Sequence, residues 1–179
     1  MKIACVTPRR RTVLASLGLC LIAPAGWGQS RPTGKIVLTI AGAVGKPNQG
    51  KDAVFDMRML EALPQVTHTV ETPWYPRKVS FSGPLARDVL AAAGVNPDGP
   101  TTPSSVRAIA INDYKVDIPL SDFTRHPVIL ATRMNGNPMS SRDKGPLFVI
   151  YPYANFGATE RKQYFDRSVW QLDRLQIGT

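Results

Sequence analysis

The sequence predicts an α+β fold, a mixed β-sheet with short helices. Several short stretches alternate apolar and polar residues with the period of two that marks a half-buried strand. Turn residues separate these stretches at short intervals, and only residues 84–94 carry a clear helical period. Many short strands with two or three short helices are typical of the α+β class.

The first predicted elements are two strands and a short helix. Residues 35–40 place alternate apolar side chains on one face, and residues 53–55 form a short apolar run. Asp56 can accept hydrogen bonds from the amides that follow it, so it is the predicted N-cap of a short helix. Pro64 cannot continue that helix and therefore ends it.

Two further strands lead into the clearest helix. Residues 65–72 alternate, with His68 on the apolar side, and residues 79–82 form another short strand. Pro84 suits the first turn of a helix, and Gly94 suits its end. The sequence therefore predicts a helix over residues 84–94.

The second half is predicted to be mainly strand. Asn112 and Asp113 favour a turn between two strands, and the pair Asn135-Gly136 is a strong hairpin signal. Asp122 is a candidate cap for a short helix. The predicted strands span 106–111, 115–118, 127–133, 147–151 and 168–177.

The first 28 residues have the pattern of an export signal. Arginines at 9–11 precede an apolar run at 13–22, which is too short to span a bilayer, and small residues follow it. We expect cleavage after Gly28, a periplasmic location, no membrane span after cleavage, and one domain over 29–179. The segment RRTVL at 10–14 also fits a twin-arginine signal, so the Sec and twin-arginine routes both stay open.

Charge and cysteine content narrow the function classes. The net charge is +9, but four of the 22 basic residues lie in the leader, which leaves 18 against 13 acidic residues and a charge of +5. A mild positive excess favours an anionic ligand. The chain has no run of basic residues interleaved with aromatic residues, so nothing in its composition indicates nucleic-acid binding. Cys5 and Cys20 lie in the leader, so the predicted domain has no thiol for a disulfide, a zinc–thiolate site or an iron–sulfur cluster.

Several motifs occur in a specific order along the chain. They are LEALP at 60–64, FSGPLARDVL at 81–90, DY at 113–114, IPLSD at 118–122, MNGNPM at 134–139, GPLFVIYP at 145–152 and VW at 169–170. Together these segments resemble the molybdopterin-binding domain of sulfite-oxidase-like oxidoreductases, over about residues 36–177. The resemblance implies that family's α+β fold and makes molybdopterin a candidate cofactor, while the length leaves no room for the haem domain of some relatives.

One departure from the family concerns the metal. The resemblance implies that catalytic members hold molybdenum through a cysteine thiolate, in the loop that follows the strand before the G-x-P-L helix. Residues 70–76, VETPWYP, match that loop and contain no thiol. Glu71 and Thr72 lack the softness of a thiolate sulfur. We therefore predict no catalytic residue and no metal ligand, and oxotransfer is disfavoured.

The resemblance also points to residues that could hold the cofactor or another anion. Arg142, Lys144 and Gly145 lie in a loop where the family places cofactor contacts, and cations with backbone amides bind phosphate groups. The alternative is a solvated loop whose charges aid solubility.

The other candidates combine aromatic rings with cations. Trp74 and Tyr75 could stack on a planar heterocycle with Arg77 nearby, and Arg133 ends a predicted strand. The alternatives are that Trp74 packs over an open end of the sheet and that Arg133 forms a surface ion pair.

Three functional hypotheses follow. The first is a periplasmic domain without redox activity that binds a pterin-like or other small anionic ligand, or a periplasmic or membrane protein partner. The second is an active molybdopterin-dependent oxidoreductase with a metal environment other than cysteine. The third is a structural domain whose cleft has collapsed.

Overall fold

A computed structural model describes residues 31–100 and 103–178, and the predicted leader lies outside them. Eleven strands form three sheets, and four α-helices connect them in this part of the chain. The strands are β1 (Ile36–Gly42), β2 (Ala53–Asp56), β3 (Gln65–Thr72), β4 (Tyr75–Pro84), β5 (Ser105–Ala110), β6 (Lys115–Pro119), β7 (Ile129–Ala131), β8 (Arg133–Met134), β9 (Asn137–Pro138), β10 (Phe148–Ile150) and β11 (Leu172–Ile177). The helices are α1 (Met57–Glu61), α2 (Ala86–Ala92), α3 (Ser121–Arg125) and α4 (Ala158–Asp166).

The largest sheet has five strands in the order β2-β1-β11-β5-β6. Strand β1 runs parallel to β11, and every other pair in this sheet is antiparallel. The sheet is therefore mixed, which confirms the predicted α+β class. Leu38 and Ile40 of β1 are fully buried whereas Ile36 is 36% exposed, so the predicted alternating face forms core except at its first residue.

Asp56 caps α1 as its position predicts. Its carboxylate accepts a hydrogen bond from the Met59 amide at 2.8 Å and further bonds from the Thr33 and Gly34 amides. Burial alone would raise the pKa of Asp56, but the amides of Gly34, Met59 and Thr33 outweigh it and lower that pKa below its ordinary value. The ionised carboxylate therefore ties the start of the described chain to this helix.

The second sheet has four strands in the order β3-β4-β8-β9. Its longest pair is the β3–β4 hairpin, in which Thr72 pairs with Tyr75 at the tip. Asn135 and Gly136 join β8 to β9 with φ angles of 50° and 81°, the left-handed region that a two-residue hairpin turn requires. The hairpin predicted at Asn135-Gly136 is confirmed.

The remaining strands, β7 and β10, form a two-stranded sheet in the core. The predicted strand at 127–133 is divided at Thr132, between β7 and β8. The Thr132 amide donates to the Ser82 carbonyl at 2.9 Å, and the Thr132 carbonyl accepts from the Met139 amide at 3.1 Å. These bonds to two different segments turn the chain from one sheet into the next.

The helices depart from the sequence predictions at two places. Pro84 ends β4 and does not lie in the first turn of α2, which begins at Ala86. Gly94 follows α2 with a φ of 74°, as predicted for a helix end. Helix α4 was not predicted because none of its residues is buried, so it lacks an apolar face.

A buried polar network links α3 to the segment that precedes β11. Asp122 is 6% exposed, and its carboxylate accepts bonds from the Tyr151 hydroxyl at 3.0 Å and from Arg167 at 2.8 Å. The predicted capping role of Asp122 is wrong, because its side chain points to these partners and makes no cap hydrogen bond. Burial, followed by the nearby Asp122 carboxylate, holds the pKa of Tyr151 well above its ordinary value.

No helix within residues 31–100 and 103–178 combines the length and the apolar character needed to cross a membrane.

Candidate functional site

The tip of the β3–β4 hairpin corresponds to the loop that was compared with the thiolate loop of catalytic relatives. Trp74 lies at this tip, half-buried, between Thr72 and Tyr75. Its ring contacts Phe148, Phe165 and Trp170, with centroid separations of 5.2, 5.6 and 5.8 Å. These contacts agree with the packing interpretation of Trp74, and they anchor the hairpin tip to β10 and α4.

Lys144 lies beside this aromatic cluster. Its ammonium is 4.9 Å from the ring centroid of Trp170 and 5.9 Å from that of Tyr75. The Lys144 carbonyl accepts from the Gln171 amide at 3.0 Å, and the Gln171 side chain donates to the Ser141 carbonyl at 2.7 Å. These bonds hold the loop of Lys144 against the segment that carries Trp170.

Two buried hydroxyl groups at the hairpin tip have no hydrogen-bond partner. They belong to Thr72 and Tyr75, and they are the two such side-chain atoms found within residues 31–100 and 103–178. Burial, with the Asp143 carboxylate second, raises the pKa of Tyr75, so its phenol is protonated and can donate. A buried polar group without a partner costs free energy, and a bound water or ion is one of the features that explain such a group in a native protein.

Two exposed arginines lie within two residues of Tyr75 and Lys144 along the chain. Arg77 lies on β4 two residues after Tyr75, and Arg142 lies in the 3-10 turn before Lys144. Among the described residues, neither guanidinium forms a hydrogen bond or an ion pair. Both are therefore free to bind an anion from solution.

The other two predicted site residues, Gly145 and Arg133, are engaged in contacts within the protein. The Gly145 amide donates to the Ser140 carbonyl at 2.8 Å, and a Cβ atom at Gly145 would lie 2.2 Å from the Met139 carbonyl oxygen. Arg133 forms an ion pair with Glu61 at 2.6 Å and pairs with Ser82, seven residues along β4 from Tyr75. At about 3.3 Å per residue this places Arg133 roughly 20 Å from the hairpin tip. Contact between either residue and a ligand stays a prediction.

The histidines and Glu71 are engaged in local structure. His68 Nε2 is 2.7 Å from the Pro127 carbonyl oxygen, and His126 Nε2 is 3.1 Å from the Tyr164 hydroxyl. Glu71 is exposed and forms an ion pair with Lys78 at 3.6 Å. Within the described chain, no three His, Asp or Glu side chains come together as a metal site.

An open cavity of about 210 Å³ adjoins the hairpin tip on the side of α4. Sequence reasoning did not identify Phe165 and Asp166 as part of a site, because they lie on a helix without apolar periodicity. Thr72 was also not predicted as a site residue, because its sequence position does not distinguish it from other strand residues. The residues that line the cavity are Pro73, Trp74, Tyr114, Phe165, Asp166, Ser168 and Trp170.

Comparison with protein families identifies the chain. Residues 30–163, well over half of it, match the profile of the oxidoreductase molybdopterin-binding domain. The chain belongs to this family. A search of curated protein sequences finds no match.

A solved structure supports the same fold for this molybdopterin-binding domain. The domain is similar to the crystal structure of the sulfane dehydrogenase SoxCD from Paracoccus pantotrophus, with 20% sequence identity and a TM-score of 0.54. The match covers 78% of this chain and 37% of that chain, so the domain spans little more than a third of the SoxCD chain it matches. At this identity the likeness shows the fold alone.

Membership in the family suggests a molybdopterin cofactor. The donor set at the hairpin tip, however, does not fit a molybdenum–thiolate centre. No cysteine occurs after Cys20, and this tip offers the hard oxygen donors of Thr72 and Glu71 in place of a soft sulfur. The ring of Trp74 also packs directly against Phe148 at this place. We therefore assign no catalytic step at a metal to any residue of the tip.

Proposed function

We propose that this protein is an exported ligand-binding member of the family, without redox activity, that holds a small planar anion at the β3–β4 hairpin tip. Lys144 and Arg142 bind the anionic group, Arg77 adds positive charge, and the rings of Trp74 and Tyr75 flank the planar part. A pterin-like heterocycle with a carboxylate or phosphate has the required chemistry.

The pair of unpartnered hydroxyls carries this proposal. Thr72 and Tyr75 pair across the hairpin and so share one face of it. Both hydroxyls are buried without a partner, and Lys144 places an ammonium over the Tyr75 ring. Hydroxyl donors beside a cation favour an anion, because an anion accepts hydrogen bonds and neutralises the charge together.

Export is part of the proposal and rests on the first 28 residues alone. The basic residues, short apolar run and small residues of that segment have the pattern of a signal peptide. Binding of a protein partner stays a separate prediction.

Tryptophan fluorescence can test ligand binding with little background. The sequence has three Trp residues, and Trp27 lies in the predicted leader. In the full chain with Trp27→Phe, only Trp74 and Trp170 report, and both belong to the aromatic cluster. The probe is pterin-6-carboxylate, and 6-methylpterin is its uncharged counterpart. We expect quenching by the carboxylate at lower concentration than by the methyl compound.

A pair of lysine variants gives the matched control. Lys144→Gln should weaken binding of pterin-6-carboxylate about tenfold, the effect of losing one hydrogen bond to a charged group. Lys51→Gln removes the same charge from an exposed turn before β2 and should leave the affinity unchanged. Equal affinities for the charged and uncharged pterins, or equal effects of the two lysine variants, would contradict the anion site.

A further inference from the structure

The cavity beside α4 has a chemistry that the anion site does not share. Its seven lining residues include aromatic side chains and the carboxylate of Asp166, and they include no Lys or Arg. Tyr114 and Trp170 are 52% and 37% exposed and both border this cavity, so a ligand from solution can reach their rings there.

The rings meet as adjoining walls. Trp74 meets Phe165 at an interplanar angle of 77° and Trp170 at 75°. These are edge-to-face contacts between packed rings, and the same three rings line the cavity. The faces of aromatic rings are negative, so several rings around one volume favour a cation within it.

The electrostatics of the cavity agree with this preference. Asp166 is one of the lining residues, and among the described residues its carboxylate has one partner, the Lys162 ammonium at 3.0 Å. Both side chains of this pair are well exposed, so solvent screens it and an incoming cation can compete for Asp166. The Trp170 ring already holds one ammonium, that of Lys144, at 4.9 Å from its centroid.

Size limits the ligand to a compact group. The cavity of about 210 Å³ is smaller than the roughly 300–1,000 Å³ of pockets for drug-sized ligands. A water molecule occupies about 30 Å³ of liquid, so the space corresponds to a few heavy atoms with their hydrogens. A methylated ammonium headgroup has this size and a diffuse positive charge.

We propose that the cavity formed by Trp74, Tyr114, Phe165, Trp170 and Asp166 binds a compact organic ammonium group by cation–π contacts. This goes beyond the proposed anion site, from which it differs in charge preference and in its carboxylate. Trp74 and Trp170 border both sites.

The test uses choline and its uncharged isostere. Choline and 3,3-dimethylbutan-1-ol have the same shape, and only choline carries the positive charge. Binding to the folded full chain with Trp27→Phe is followed through the two remaining indole N–H signals in NMR titrations. We expect choline to bind about tenfold more tightly than the isostere. Equal affinity would mean that the cavity is merely apolar and would overturn the proposal, as would the absence of any response to choline.

Three exposed substitutions keep the test independent of folding. Asp166→Asn should weaken choline binding about threefold, and Lys162→Gln should strengthen it about twofold because it frees the carboxylate. Lys78→Gln, at the exposed pair with Glu71, is the matched control and should change nothing. If Asp166→Asn has no effect, or if Lys162→Gln weakens binding, the proposed role of the carboxylate is overturned.

Lys144→Gln separates this proposal from the anion site. The substitution should weaken binding of pterin-6-carboxylate and should not weaken binding of choline. If the protein binds choline but not pterin-6-carboxylate, the ammonium site is supported and the proposed function is refuted. If it binds pterin-6-carboxylate but not choline, the proposed function is supported and the ammonium site is refuted.

Discussion

Removing the hydroxyl group from Tyr75 should leave the protein as stable as before or more stable. The Tyr75 hydroxyl is buried and has no hydrogen-bond partner, so the folded state bears the cost of its desolvation without compensation. Tyr75→Phe removes that oxygen and keeps the ring that contacts Phe81 at 6.0 Å. We expect the free energy of unfolding to stay constant or rise by up to about 1 kcal/mol.

Tyr151→Phe is the matched control, because it deletes the same atom where a partner exists. The Tyr151 hydroxyl donates to the buried carboxylate of Asp122 at 3.0 Å, while Arg167 also binds that carboxylate. A hydrogen bond to a charged group contributes about 1.5–3 kcal/mol, and Arg167 leaves Asp122 partly satisfied. We expect a loss of about 2 kcal/mol, which in a domain of this size lowers Tm by about 4–8 °C.

Urea unfolding followed by circular dichroism measures both variants on one scale. The sign is decisive, because the two substitutions are chemically identical. A loss of more than about 1 kcal/mol in Tyr75→Phe would mean that its hydroxyl has a partner in the folded protein. The argument for an anion at the hairpin tip would then lose its main support.

Three further predictions concern stability. Trp74→Ala should cost about 3 kcal/mol in urea unfolding, since its ring packs against Phe148, Phe165 and Trp170; a loss below about 1 kcal/mol would mean that the hairpin tip is not anchored. Gly145→Ala should lower Tm by several degrees, because the new Cβ would lie 2.2 Å from a backbone oxygen, whereas Gly157→Ala meets nothing nearer than 3.8 Å; equal shifts would contradict the close approach. Asp56 has a lowered pKa in the folded state, so its contribution is present above about pH 4 and lost as pH falls below that value. Asp56→Asn should therefore be destabilising at pH 7, with a deficit that shrinks between pH 5 and pH 3, and a constant deficit would refute the linkage.

Local chemistry accounts for the elements that the sequence predicted correctly. Asp56 caps its helix through bonds to neighbouring amides, and Asn135-Gly136 forms its turn through two residues that tolerate positive φ. Both depend on contacts within a few residues. The alternation of β1 and β3 is also local, because in each strand one face is less exposed than the other.

The remaining features depend on contacts between distant segments. The ammonium of Lys144 meets the Tyr75 ring across 69 positions of sequence, and the Arg133 guanidinium finds Glu61 across 72. Helix α4 has no apolar stripe, and it is held by the Gly157 amide bond to the Glu160 carboxylate at its start and by the contact of Phe165 with Trp74. Its Phe165 therefore became visible as a cavity wall only in three dimensions.

The most direct test of the proposed function is the molybdenum and pterin content of the protein, purified folded from its native compartment after growth with molybdate. The account predicts molybdenum far below one atom per chain, because the hairpin tip has no thiolate and Trp74 packs into that place. Pterin without the metal would agree with a retained anion site. Near-stoichiometric molybdenum together with pterin would contradict the account and would make Glu71 and Thr72 the first ligands to examine.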